Sequence, residues 1–276
     1  MTSTPPTEAS RAAWDAIAAR YDRHVTDRNL LLAERALDRL DLPAGSRLVD
    51  VAAGTGALSI AAARRGLRVT AVDLSPSMVD HLQRRARRED LSELDARVMD
   101  GQNLELDDDT FDAAVSQLGV MLFPDLGRGL REMVRVTRPG GSLMVVGFGG
   151  PPPRVEFVGV FMAAIAAVAP DRDLTAGPPP LPFQVSDPEV LRQRMVEAGV
   201  AAVEVETIDF PMAYRSGTEL WNASCSSNPI GMDLVRGLSD DQRAAVIGRL
   251  DDVLRRRAQG GERLLHNAMH IASGRA

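Results

Sequence analysis

The chain has 276 residues, 45% of them apolar and 25% charged, with a net charge of −6. That apolar content suffices for a globular core, and the acidic balance offers no broad basic field for a nucleic-acid partner. A single cysteine, Cys225, rules out an internal disulfide, and no charged-then-apolar secretory leader opens the sequence, so a reduced, cytoplasmic setting is expected.

Residues 1–10, rich in Thr, Ser and Pro, read as a mobile tail ahead of one domain over 11–276. A helical cap is expected over 11–45, where Trp14 and Tyr21 stand seven positions apart and so on one helix face. The segment from Leu48 to Val51 is a strand that runs into the turn Ala52-Ala53-Gly54-Thr55-Gly56. Gly54 and Gly56 give that turn backbone positions free of a Cβ, which a tight strand-to-helix connection and a closely approaching ligand both need. Asp73 ends the next strand, 17 positions after Gly56, the spacing of one βαβ unit. A carboxylate there can accept hydrogen bonds from both hydroxyls of a ribose. A nucleotide-shaped pocket follows.

The pocket's ligand is narrowed by what surrounds the glycines. A phosphate-cradling loop needs Lys and Ser or Thr directly after its last glycine, where Ala57 and Leu58 stand. A dinucleotide turn places a third glycine at Ser59. Asp50, just upstream, would repel a pyrophosphate lodged at the helix N-terminus and would favour a cationic ligand.

Further along come Arg97-Val98-Met99-Asp100-Gly101-Gln102, a third strand ending in an acidic residue, and the strand Phe111 to Gln117. An amphipathic helix from Leu130 stops at Pro139-Gly140-Gly141, and the apolar strand Ser142 to Phe148 follows. In this order the motifs resemble those of the class I S-adenosylmethionine-dependent methyltransferases, in the small-molecule branch that includes quinone-biosynthesis enzymes. The resemblance is closest over residues 10–150. It implies an α/β fold with a Rossmann-like, seven-stranded sheet, mostly parallel with an antiparallel last strand, plus an N-terminal helix and a helical lid after the fifth strand.

The resemblance also implies S-adenosyl-L-methionine as cofactor. Gly54 and Gly56 then lie along its amino-acid end, Asp73 on its ribose, and Asp100, Gly101 and Gln102 around its adenine. Gln117 emerges at the ligand-binding edge of the sheet. Asp50 orders the turn and reaches the ligand's ammonium indirectly. Ala52 stands where glycine is usual, which a φ below zero would permit. Leu74 and Met78 are either walls for the adenine or ordinary helix packing. Tyr21 either closes the donor pocket or merely docks its helix.

The run Val155 to Ala169 carries one charge, Glu156, and at 15 residues is shorter than the roughly 20 of a bilayer span. It is a substrate lid or a buried helix, flanked by the stiff Pro151 to Pro153 and Pro178 to Pro182. Residues 151–185 and 211–258 are the candidate lid segments. Pro188 to Ala198, Thr218 to Ser224 and Ser239 to Arg257 read as helices, Val203 to Ile208 as a strand, and Arg263 to Ala272 as the last strand. Arg84, Arg85, Arg87 and Arg88 read as a solvated helix end, with His81 facing solvent.

Methyl transfer from a sulfonium is an in-line displacement that consumes a positive charge, so positioning carries most of it, with a base where the acceptor bears a proton. His24, near the presumed pocket mouth, is the preferred base. His266 and His270 share a strand face without a third ligand, so no metal is expected. Met121, Phe123, Phe157, Phe161 and Trp221 supply apolar surface for an acceptor. The expected function is methylation of a small hydrophobic metabolite at oxygen, carbon or nitrogen, in quinone or natural-product biosynthesis, with a homo-oligomer left open. The rivals are a nicotinamide-dependent oxidoreductase and a protein that binds the donor without catalysis.

Overall fold

A computed structural model describes residues 6–174, 180–226, 228–259 and 261–276. Two helices come first, α1 (Pro6–His24) and α2 (Thr26–Leu37). The first helix starts at Pro6, so residues 6–10 are its opening turns rather than a tail, and residues 1–5 lie outside the described residues. A βαβαβ unit follows, in which the apolar runs become β1 (Arg47–Val51), β2 (Arg68–Asp73) and β3 (Leu94–Val98), linked by α3 (Ala57–Arg64) and α4 (Pro76–Arg88). Ser75 caps α4 by accepting a hydrogen bond from the Met78 amide at 3.1 Å, and Pro76 supplies the preset φ of a first helical residue.

The second half of the sheet is β4 (Phe111–Gln117), α5 (Leu126–Val136), β5 (Thr137–Phe148), β6 (Ala201–Ala213) and β8 (Glu262–Arg275), with β7 (Ala258–Gln259) pairing only with β8. Between β5 and β6 lie α6 (Glu156–Val168) and α7 (Pro188–Glu197). Between β6 and β7 lie α8 (Gly217–Trp221), α9 (Pro229–Leu234) and α10 (Asp240–Arg256), the last opened by the capping box of Ser239 and Gln242.

The strand order is β3-β2-β1-β4-β5-β8-β6. The first five strands are parallel to one another, and β8 is antiparallel to both β5 and β6, so β6 runs with the rest. This is the Rossmann-like, seven-stranded sheet with its antiparallel last strand. The order reverses direction between β1 and β4, and open α/β sheets bind ligands at the carboxyl ends of the strands flanking such a reversal. Asp50 is on β1 and Gln117 ends β4.

The main core runs the length of the sheet and takes in α2 through Leu32, Ala33, Ala36 and Leu37. In contrast, α1 sits on a separate small cluster in which Ile17, Ala18 and Met78 are joined by Trp14 and Tyr21. Polar clips add to it. Asp15 accepts from Ser75 Oγ at 2.5 Å and from the Ser77 amide at 3.0 Å, while Asp22 accepts from Arg85 at 2.5 Å and meets His81 Nδ1 at 3.2 Å. Arg85 and His81 therefore do not face solvent as their charged neighbours suggested; they hold α1 to α4. No helix among the described residues is long and apolar enough to cross a membrane.

Candidate active site

Two cavities adjoin at the carboxyl edge of the sheet. The first, about 1040 Å³ counted with its open mouth, lies over the β1–β4 reversal. Its lining includes Tyr21, Asp50, Ala52, Gly54, Asp73, Leu74, Met78, Asp100, Gly101, Gln102 and Gln117, so residues spread over nearly 100 positions of sequence converge there. Phe123, expected on the acceptor side, lines this cavity as well.

Gly56 does not line it, and its role is in the backbone. It has φ +92°, and a Cβ there would lie 2.0 Å from Leu82 Cδ1. Glycine thus lets α3 begin in a left-handed turn tight against α4. Ala52 departs from expectation, because its φ is +60° rather than negative. A left-handed alanine crowds its Cβ against the following carbonyl, and surrounding packing must hold it there.

Gly101 is likewise required by packing. A Cβ on it would lie 2.5 Å from Phe123 Cζ, so this glycine makes room for the ring. Asp100 stands two residues beyond the end of β3, where its Oδ1 accepts from the Gln102 amide at 2.9 Å. Gln102 in turn accepts from the Asp125 amide at 3.0 Å, tying this loop to the start of α5.

Buried charge concentrates at the glycine turn. Asp73 Oδ2 accepts from the Gly54 amide at 2.7 Å and Oδ1 from the Ser75 amide at 2.9 Å. Burial nevertheless pushes its carboxyl up to about 6, with Asp15 adding to the rise. Asp50 Oδ2 accepts from Ser59 Oγ at 2.6 Å, while Oδ1 is buried with no hydrogen-bond partner. Burial pushes Asp50 up to about 7, against the Ser59 hydrogen bond and with help from Asp73. Gln117 donates from Nε2 to the Asn29 carbonyl at 2.8 Å, which leaves its Oε1 buried and also without a partner. Asp50 is in register with Val115, so Gln117, two residues on, is on the same sheet face. Two orphaned acceptors on adjacent strands suit a ligand that brings hydrogen-bond donors and positive charge.

The second cavity, about 720 Å³, is mostly apolar. Met121 and Phe157 line it, together with Phe148, Met212, Tyr214 and Met269. Phe161 and Trp221 line neither cavity. Phe161 is 2% exposed in the core and its ring meets the Trp221 ring edge-on at 5.8 Å, so the apolar α6 turns this face inward against the chain's own aromatic. Of the Pro178 to Pro182 connector, Pro182 lines the cavity, and Pro178 and Pro179 lie outside the described residues.

His24 also lines the second cavity. Burial, then the Arg23 and Arg28 cations, hold its imidazole below the ordinary range, keeping it neutral and able to take a proton. His266 pairs with Asp209 at 2.6 Å, and His270 is tied to Thr207 and the Ser186 carbonyl, both far along the sheet.

Trp14, Tyr21, Asn29, Leu118 and Leu122 line both cavities and so form a shared wall. The Trp14 and Tyr21 rings meet edge-on at 6.0 Å, and Asn29 Nδ2 donates to the Tyr21 hydroxyl at 3.2 Å. The Leu118 backbone is left-handed, at φ +58°. Thr26, at the start of α2, bonds Thr55 between the two glycines at 2.5 Å. Thr26, Asn29 and Leu118 carry no motif. Their only sequence signal is a polar residue twice on the buried face of an amphipathic helix.

A methyltransferase-domain family profile matches residues 49–145, from β1 into β5. The chain is 34% identical to a demethylmenaquinone methyltransferase of Renibacterium salmoninarum over 167 residues, 57% of this chain and 68% of that protein. It is 41% identical over 102 residues to an uncharacterized protein of Mycobacterium tuberculosis, 37% of either chain. Among solved structures, the [4+2]-cyclase SpnF superposes with a TM-score of 0.63 at 17% identity, covering 99% of this chain and 97% of that one, a likeness of fold. The chain belongs to the class I S-adenosylmethionine-dependent methyltransferases. The matched stretches span 37% of the mycobacterial relatives' length and 58% of that of the Clavibacter sepedonicus demethylmenaquinone methyltransferase.

Proposed function

We propose that the chain transfers a methyl group from S-adenosylmethionine, held in the first cavity, to a small, largely apolar acceptor held in the second. The observation that carries this reading is the shared wall: two differently lined cavities adjoin across Trp14, Tyr21, Asn29, Leu118 and Leu122. An in-line transfer needs two such adjoining sites. The donor supplies an electrophilic methyl group on a sulfonium.

The chain's own residues divide the remaining work. Asp50 Oδ1 and Gln117 Oε1 accept from the donor's ammonium, each gaining the partner it lacks. Asp73, whose oxygens keep a free lone pair beyond their amide bonds, accepts from the ribose hydroxyls. Leu74, Met78 and Met99 flank the adenine, with Asp100, Gly101 and Gln102 at its edge. The helix α1 shuts out water with Trp14 and Tyr21. His24, held neutral, takes the proton that a hydroxyl or amine acceptor must lose, and a carbon acceptor made nucleophilic by such a hydroxyl uses it equally.

The described parts of 151–185 and 211–258 act as the acceptor-side lid, since they contribute Phe157, Pro182, Met212, Tyr214, Ala223 and Asn228 to that cavity. Identity with a demethylmenaquinone methyltransferase supports a ring-bearing acceptor in quinone or natural-product metabolism. A nicotinamide dinucleotide is disfavoured, because its pyrophosphate at the start of α3 would lie beside Asp50.

Calorimetry with S-adenosylhomocysteine and with NAD tests the donor: only the former is expected to bind, and binding of NAD alone would overturn the reading. Incubating methyl-labelled donor with cell extract and identifying the labelled product by mass spectrometry tests transfer. A protein that binds the donor and labels nothing would be a binding protein instead.

A further inference from the structure

Among the described residues, the walls of the second cavity carry two side chains able to bear a positive charge, His24 and Arg28, and no carboxylate. Arg28 is paired with Glu219, which stands outside the cavity, and with two of the cavity's own lining residues, His24 and Tyr214. Its Nη2 donates to Glu219 Oε1 at 2.6 Å, its Nη1 donates to the His24 carbonyl, and its guanidinium lies 4.9 Å from the centroid of the Tyr214 ring. Both members of the Arg28–Glu219 pair are about four-fifths shielded from solvent, with side-chain exposures of 22% and 18%. Glu219 is held in turn by the Arg215 amide at 2.6 Å and, more loosely at 3.4 Å, by the Arg215 guanidinium, which at 92% exposure is screened by solvent and leaves Arg28 as the shielded partner. Burial pulls its carboxyl up, but Arg215 and Arg28 outweigh burial and keep it below the usual range, so it stays ionised. The Tyr214 phenol is held up at about 12 by burial and is neutral.

The cavity is therefore apolar, and its one permanent cation is cancelled by a carboxylate standing behind it. An anionic ligand entering it would lose its hydration and find no uncompensated charge. A neutral ligand would lose nothing of the kind.

We propose that this cavity selects uncharged ring compounds over anionic ones, and that Glu219 enforces the selection by neutralising Arg28. The proposal rests on reading the second cavity as the acceptor site. Glu219 is a specificity-determining residue that touches no acceptor: it acts through Arg28, and its removal would turn the same wall into an anion site.

The test compares naphthol with naphthyl phosphate, which share a ring and differ in charge, by titration of the full chain with S-adenosylhomocysteine present. In the wild type naphthol is expected to bind at least about tenfold more tightly than the phosphate. In Glu219→Gln the phosphate is expected to tighten by about tenfold or more, with naphthol changed by less than about threefold. Arg28→Gln with Glu219→Gln, which removes both charges and leaves no unpaired cation in the cavity wall, is expected to return the ratio to its wild-type value. It also carries the test if the single variant fails to fold.

Equal or tighter phosphate binding by the wild type would overturn the proposal. So would a ratio unmoved by Glu219→Gln, or a cavity that takes neither probe. If S-adenosylhomocysteine fails to bind while naphthol keeps its preference, the methyltransferase reading falls and the charge selection stands.

Discussion

Ala52 and Gly119 are packed so closely that a Cβ on Gly119 would lie 2.6 Å from the Ala52 Cβ. The contact joins the glycine turn after β1 to the loop after β4, across the reversal point of the sheet. Ala52 holds a left-handed φ of +60° there, so its methyl group fills the gap that Gly119 leaves. Relieving a left-handed alanine is worth about 1–2 kcal/mol, and glycine's extra freedom in the unfolded chain takes back about 0.5–1 kcal/mol. Ala52→Gly is therefore expected to stabilise the protein by about 0.5–1 kcal/mol in urea unfolding. Gly119→Ala is expected to cost about 1–3 kcal/mol, and the double variant less than the sum of the two. Strict additivity would show that the two positions do not share space.

Asp50 and Asp73, raised to about 7 and about 6 from 3.8, bind protons in the folded protein that the unfolded chain has released. Their contribution to stability is therefore greatest below their unfolded value and declines as the pH rises through 6 and 7. Binding of the ligand's ammonium, which S-adenosylhomocysteine shares with the donor, favours the ionised Asp50 and expels its proton. Affinity for S-adenosylhomocysteine is expected to rise between about pH 5.5 and 8, with net proton release seen by calorimetry in buffers of different ionisation enthalpy. Asp50→Asn should abolish most of that release. Proton uptake on binding would contradict the ammonium assignment.

The His24 imidazole lies below the ordinary 6.5 because burial and two arginines disfavour its charge. If it takes the acceptor's proton, the acid limb of the pH–rate profile for kcat/KM should have its midpoint below that value. His24→Ala is expected to lower kcat by about 10²–10⁴-fold, with donor affinity changed less than about twofold. An unchanged kcat would leave the base elsewhere.

Gly56 cannot take a side chain cheaply. Gly56→Ala must adopt φ +92° and push a Cβ to within 2.0 Å of Leu82 Cδ1. Left-handed strain of about 1–2 kcal/mol and overpacking of about 1–3 kcal/mol together predict a loss of about 2–4 kcal/mol in urea unfolding. Leu82→Ala is destabilising alone, yet should soften the Gly56→Ala loss when the two are combined.

The half of the fold that lines the first cavity is legible because each strand is short, apolar and closely followed by a residue of that cavity. Asp50, Asp73, Asp100 and Gln117 are placed by strand ends, and strand ends are what periodicity reveals best. The half that lines the second cavity is written in packing. Phe157 and Phe161 are four residues apart on a helix apolar nearly all round, and periodicity gives no sign that the first meets the cavity while the second meets Trp221. Asn29, Arg28 and Glu219 are equally silent, since their partners lie 88 and 191 positions away. The sign of φ at Ala52 was illegible for a related reason: it depends on what opposes the turn, not on the turn's own residues.

The wall between the cavities is hung unevenly. Asn29 belongs to a helix rooted in the main core, whereas Trp14 and Tyr21 belong to α1, which rests on three buried residues and a few polar clips. Elements with so little buried apolar surface open by themselves well below the free energy of global unfolding. Backbone amides of α1 should accordingly exchange with deuterium long before those of α2. When α1 lifts, it carries the aromatic partition with it, and two chambers become one trough. If the two chambers hold donor and acceptor as proposed, a single local fluctuation admits both together and releases both products.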